Sequence, residues 1–193
     1  MYKLLFNSFF LILALNAFCE DGPVFSIEDF SVYHMDCDEP FKLGMNTEEI
    51  MALFSNLSGF DNWEISVADG WETLQHETQG ITFFEFDLDG TVFSFVFTDP
   101  AFRTSRGISV GDSIRDVSQK YELYTLNPPP NGTDVGRADG YIYIMQDFYI
   151  DEPHPNSSYA PGYKGGYWKT YAITFMFNGD DEITKIFVNV GEY

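Results

Sequence analysis

The chain of 193 residues has only two cysteines, Cys19 and Cys37. A disulfide framework is therefore excluded once Cys19 leaves with a leader or carries a lipid, and Cys37 is expected as a buried free thiol. No pair or cluster of cysteines has zinc spacing. Basic residues are also scarce: ten Lys and Arg stand against thirty Asp and Glu, for a formal net charge of −20. Such a surface repels phosphate backbones and anionic headgroups, so nucleic acid is not an expected partner. Cationic proteins, divalent cations and a basic patch on a neighbour stay open, beside the plain reading of a solvated acidic surface. The three histidines, His34, His76 and His154, have no metal-ligand spacing and are each expected at the surface. No metal and no cofactor is expected.

Apolar residues are plentiful. Hydrophobic residues make up 45% of the chain and aromatic residues 18%, with 20 Phe and 12 Tyr, which departs from the composition of a disordered chain. Residues 1–19 read as a signal peptide: Lys3, then the apolar stretch through Phe9-Phe10-Leu11-Ile12-Leu13-Ala14-Leu15, then polar Glu20-Asp21-Gly22. A stretch this short suits cleavage better than a membrane span of about 20 apolar residues. Ala17 and Cys19 meet the small-residue rule for cleavage after Cys19. The competing reading is lipidation of Cys19, against which Phe18 and Leu15 depart from the lipobox pattern. Either way the mature chain is expected outside the cytoplasm, secreted, periplasmic or envelope-anchored, without a transmembrane span.

A short segment occurs twice. Leu43-Gly44-Met45-Asn46-Thr47-Glu48-Glu49-Ile50-Met51-Ala52-Leu53-Phe54 is echoed by Val110-Gly111-Asp112-Ser113-Ile114-Arg115-Asp116-Val117-Ser118-Gln119-Lys120-Tyr121. Each copy sets an acid, a β-branched residue and an aromatic at the same offsets from its glycine, the pattern of a loop entering a helix. Asn46 or Thr47 can cap the first helix, and Ile50, Leu53, Phe54 and Leu57 share its buried face. Asp112 or Ser113 begins the second, with Ile114, Val117 and Tyr121 inward. Apolar runs separated by Asp69-Gly70 and by Asp89-Gly90 predict two hairpins after the first helix, and Asp139-Gly140 and Asn178-Gly179 mark turns after the second. The turns of the second copy stand farther apart, and residues 151–168, rich in Pro, Gly, Ser and Tyr, account for the difference as an inserted loop. These signals predict an α+β fold of two repeated units, each with one or two helices on an antiparallel meander: residues 20–106, and residues 107–193 carrying the insertion.

The residues Gly44, Thr47, Glu49, Ile50 and Phe54, with Gly111, Ser113, Asp116, Val117 and Tyr121, together with the meanders that follow, make the chain resemble the BamE-like/β-lactamase-inhibitor-protein superfamily. Two such units in one secreted chain are similar to the tandem inhibitor proteins, and a single lipidated unit is the outer-membrane assembly version. The resemblance implies a non-enzymatic role in binding other proteins outside the cytoplasm. It carries over no interface residue, because the matched positions are helix-start and core positions.

Several constellations could carry chemistry. Gly107-Ile108-Ser109-Val110-Gly111 matches a nucleophile elbow, which would make Ser109 the nucleophile of a small hydrolase. The first copy has no serine at the equivalent place, and the element order predicts an antiparallel sheet, so Ser109 is expected to be a loop residue and the protein no enzyme. Asp87-Leu88-Asp89-Gly90 and Asn178-Gly179-Asp180-Asp181-Glu182 cluster oxygens as calcium sites do, but neither continues into a twelve-residue loop, and turn chemistry explains both. Asn56, Asn131 and Asn156 begin glycosylation sequons. The insertion is the main candidate contact surface, with Tyr159, Tyr163, Tyr167 and Trp168 on a backbone relaxed by glycines and His154 and Lys164 among them. The partner expected for it is an extracytoplasmic protein, a cationic one being consistent with the charge. The alternative roles are an envelope-structural lipoprotein and, less favoured, the hydrolase.

Overall fold

The computed structural model describes residues 25–55, 57, 63–68, 71–76, 80–86, 90–123, 133–151 and 166–192. A 3-10 turn at Ile27–Phe30 leads into β1, Val32–His34. Next come α1, Thr47–Phe54, then β2, Glu64–Ala68, β3, Trp71–His76, β4, Ile81–Phe86, β5, Val92–Phe97, and β6, Phe102–Thr104. The second half holds α2, Ile114–Lys120, then β7, Thr133–Ala138, β8, Tyr141–Ile150, β9, Tyr167–Phe177, and β10, Ile183–Glu192.

The two helices begin where their capping residues require. The Asn46 side chain accepts the Glu49 amide while the Glu49 carboxylate accepts the Asn46 amide, both at 2.9 Å, and Ser113 and Asp116 make the same reciprocal pair before α2. These bonds satisfy amides that a first helical turn leaves without partners. Ile50 and Phe54 of α1 are buried, with Leu53 and Leu57 half-buried against the core; Val117 of α2 and Tyr121, its C-cap, are fully buried. Gly44 and Gly111, at φ +90 and +94, turn the chain into each cap through a conformation that disfavours a side chain.

The expected α+β architecture of two helix-on-meander units is overturned. Among the described residues there are ten strands and only two α-helices, of eight and seven residues, so the fold is mainly β. Eight strands form one antiparallel sheet in the order β2-β3-β4-β5-β10-β9-β8-β7, and β1 and β6 form a separate ribbon. The physical reason is the ladder between β5 and β10, from Phe97 opposite Ile186 to Ser94 opposite Asn189. It fuses the strands of both halves into a single backbone-bonded surface, which two helices of about two turns each can cover only in part. Strand alternation then supplies one shared interior. Phe83, Phe95, Ile173, Phe175, Ile186 and Val188 point to one face, where they meet the helices and the ribbon. Phe54 stacks on Phe41 with ring centroids 4.4 Å apart and reaches Phe83, while Tyr121 packs edge-on to Phe175 at 5.4 Å.

The residues before β1 are tied to α2 by a second device. Arg106 lies 4.7 Å from the Phe25 ring centre and 5.1 Å from that of Tyr121, and its Nε donates to Asp29 Oδ1 at 2.7 Å. Its Nη1 donates to the Lys120 carbonyl at the end of α2. Burial opposes the charged form of Asp29, but the Arg106 guanidinium and the Ser26 amide outweigh it and hold its pKa below the ordinary value. Burial also drives the Tyr121 phenol far above its usual pKa.

Two further expectations change. His34 is buried rather than at the surface: pairing of β1 with β6 sets its ring edge-on to Phe102, 5.0 Å away, and its Nδ1 accepts the Asp36 amide. Burial lowers its pKa, against the pull of Asp36 and Asp99. Cys37 is a free thiol as expected but half-buried, its Sγ donating to the Glu39 carbonyl.

Candidate functional site

The helices, the ribbon and the core lie on one face of the sheet; the opposite face of β8 and β9 presents an aromatic row. Along β8, Ile142 and Ile144 point into the core, so Tyr141, Tyr143, Met145, Asp147 and Tyr149 share the outward face. Register sets Met176, Thr174, Ala172, Thr170 and Trp168 of β9 opposite them. Of the seven large apolar side chains left exposed among the described residues, four make two cross-strand pairs here, Tyr141 with Met176 and Tyr149 with Trp168. Tyr149 and Trp168 are each 52% exposed.

Local bonding fixes these rings. The Tyr149 and Trp168 ring centres are 5.4 Å apart at an interplanar angle of 59°. The Tyr149 hydroxyl accepts the Gly166 amide at 3.1 Å, and a Cβ at Gly166 would fall 2.7 Å from the Tyr149 ring and 2.2 Å from the Ile150 carbonyl. Only glycine admits the ring in this place. On β7, Gly136 leaves room in the same way for the Tyr143 ring, whose hydroxyl reaches Asp134 at 3.4 Å. The Asp134 charge raises the Tyr143 pKa. Asp147 accepts the Thr170 hydroxyl across the strands. At the other end of the row, Tyr141 borders an open cleft of about 370 Å³ shared with Arg137, Asp139, Phe177, Asn178 and Asp181.

The last two residues assigned to the insertion belong to the sheet, because β9 starts at Tyr167 and pairs it with Ile150. Trp168 thus stands on the outward face with Tyr149. Tyr167 takes the opposite face, with the Lys169 ammonium 5.4 Å from its ring centre. His154, Tyr159, Tyr163 and Lys164, together with Cys19 and the sequon residues Asn56, Asn131 and Asn156, lie outside the described residues. Tyr141, Tyr143, Tyr149 and Met176 were not singled out from the sequence, although the Tyr-Ile-Tyr-Ile alternation at 141–144 marks an outward tyrosine face.

The alternative sites have other local roles. The Ser109 amide donates to Asp112 Oδ2 at 2.8 Å, and Ser109 forms an isolated antiparallel bridge with Arg103 ahead of α2. Asn178 Oδ1 accepts the amides of Asp180 and Glu182, so this side chain closes the β9–β10 turn. Among the described residues no cluster of His, Cys, Asp and Glu could hold a metal ion, and no helix is long and apolar enough to cross a membrane. Asp87 and Asp89 lie outside the described residues.

Fold and site together define a mainly β protein whose long antiparallel sheet is packed on one face and bears an exposed Tyr–Trp pair and an exposed Tyr–Met pair on the other. No protein-family model and no curated protein matches the chain. Among solved structures it is similar to an extracellular protein containing an SCP domain from Bacillus anthracis strain Ames, at 12% identity and a TM-score of 0.39. The match covers 76% of this chain and 43% of the other, so the chain spans less than half the length of that protein.

Proposed function

We propose that this chain is a non-enzymatic binding protein of the cell exterior or envelope, and that its contact surface is the outward face of β8 and β9 with the adjoining segment 152–165. The observation that carries the reading is the pairing of Tyr149 with Trp168 and of Tyr141 with Met176 on one open face. Large rings held in place by backbone contacts offer contact area at little cost in conformational entropy, as interface anchors do. The leader-like residues 1–19 support an extracytoplasmic address, and the acidic surface favours a protein partner over nucleic acid. The resemblance of the segments at Gly44 and Gly111 to the BamE-like/β-lactamase-inhibitor-protein superfamily supports binding rather than catalysis.

A cross-linking pull-down from envelope and medium tests the reading, comparing the parent chain with one lacking residues 152–165 and with Trp168→Ala. A protein captured by the parent and lost from both variants is the expected result. Capture unchanged by both, or none by the parent, would overturn it. Cys19 at the end of the leader supports a second reading, an envelope lipoprotein with a structural role. Mass spectrometry decides between the two: a lipid on Cys19 favours the second, and a mature chain beginning at Glu20 removes it.

A further inference from the structure

The exposed corner at the end of the β8–β9 hairpin has the composition of a cation receptor. Tyr149 and Trp168 present two fixed rings, and each ring carries a negative face. Asp147 precedes Tyr149 by two residues on the same face, about 7 Å away along a strand. Asp151 follows it by two, just beyond the strand, and both acids are exposed. Asp147 accepts the Thr170 hydroxyl at one of its two carboxylate oxygens. The nearest cation along β9, Lys169, stands over Tyr167 on the opposite face.

The chain already binds a cation in this manner internally. Arg106 sits against the rings of Phe25 and Tyr121 with its guanidinium bonded to Asp29, and there the protein supplies all the partners itself. At the β8–β9 corner the described residues supply the rings and the carboxylates. The net charge of −20 gives the complementary long-range field, drawing a cationic surface toward the molecule.

We propose that Tyr149, Trp168, Asp147 and Asp151 form a clasp for a lysine or arginine side chain presented by a partner protein. The clasp rests on the binding reading above and names the chemistry of the group recognised. The rings attract the cation through their π faces while the flanking carboxylates take its N–H donors. Gly166 holds Tyr149 in position, so little ordering is required on binding.

The test is a titration of the protein, labelled with 15N at the indoles, with hexa-arginine at physiological salt, using hexa-citrulline as the uncharged isostere and cellohexaose as a neutral glycan. The Trp168 indole resonance should shift saturably with hexa-arginine and hardly at all with the two neutral probes. Trp168→Leu and Tyr149→Leu keep apolar bulk at these exposed positions and remove the ring, and each should weaken hexa-arginine binding, followed by calorimetry because Trp168→Leu lacks the reporting indole, about five-fold. Glu48→Gln removes an exposed charge on α1 instead of a ring and should change it less than about two-fold. Hexa-arginine binding that survives both leucine variants is diffuse attraction to the acidic surface and overturns the clasp, as do equal Trp168 shifts with the neutral probes. A partner captured in the pull-down that binds Trp168→Leu and Tyr149→Leu as tightly as the parent overturns the clasp while leaving the binding reading standing. If nothing is captured, the binding reading fails and the peptide titration still decides the chemistry of the corner.

Discussion

Replacing Arg106 by methionine isolates what the guanidinium contributes, because methionine keeps most of the apolar stem between Phe25 and Tyr121. The parent residue makes a 2.7 Å bond to Asp29, a 3.3 Å bond to the Lys120 carbonyl and close approaches to two rings. Asp29 and Arg106 are 16% and 19% exposed, between the surface pairs that contribute about 0–1 kcal/mol and the buried pairs whose rupture costs about 3–5 kcal/mol. The retained stem and the Ser26 amide, which still serves Asp29, offset part of the loss, so a destabilisation of about 3 kcal/mol is expected. Urea unfolding at pH 7 measures it, and for a chain of this size the melting point should fall by roughly 6–12 °C. A double-mutant cycle with Asp29→Asn adds a signature in pH. The pKa of Asp29 is lower in the folded state than in the unfolded chain. Its contribution is therefore fully present above the ordinary carboxylate value and is lost as pH falls through the lower, folded value. The coupling should stay constant from pH 7 down to about 5 and decline below about 4. A loss under about 1 kcal/mol in Arg106→Met, or a coupling that grows on acidification, would refute this account of the contact.

Three other expectations are direct. Phe54 is 1% exposed and surrounded by Phe41, Trp63, Phe83 and Phe102, so Phe54→Ala should cost about 3–5 kcal/mol, and a loss under about 1.5 kcal/mol by urea unfolding would contradict the packing described. Asn46→Ala and Ser113→Ala should each cost about 1 kcal/mol, and hydrogen exchange should show fraying confined to the first turn of α1 or α2 in the respective variant. His34 has a lowered pKa in the folded state, so its contribution is present above the ordinary histidine value and is lost as pH falls toward the folded value. Its NMR titration should have a midpoint below 6.5, and His34→Gln should flatten the decline in stability between pH 7 and 5; a midpoint above 6.5 would show that Asp36 and Asp99 outweigh burial.

The features legible in the sequence are those set by neighbours along the chain. Asn46 with Glu49, and Ser113 with Asp116, are three residues apart, and their reciprocal bonds can be anticipated from that spacing. The Asp139-Gly140 turn that precedes β8, and the inward positions Val117 and Tyr121, follow from equally local patterns. The fold class was misread because it depends on Phe95 lying opposite Val188, a pairing between strands far apart in the chain that no local spacing encodes. Two short helix signals then weighed more in the expectation than they do in the molecule. His34 was misplaced for the same reason, since its burial is produced by the distant Phe102.

The contact face shows how one local rule applies at two strengths. Alternation along Tyr141–Ile150 assigns the isoleucines inward and the tyrosines outward, and this strand, with four aromatic residues in ten, is denser in rings than the insertion beside it, with four in eighteen. Composition placed Trp168 in a loop, whereas backbone pairing with β8 makes it a strand residue opposite Tyr149. The distinction bears on function. A tryptophan on a free loop must be ordered when it binds, while one held in a ladder against a ring fixed by Gly166 is already in position. Trp168 thus belongs to the sheet rather than to the insertion, which is why the proposed contact surface is centred on β8 and β9.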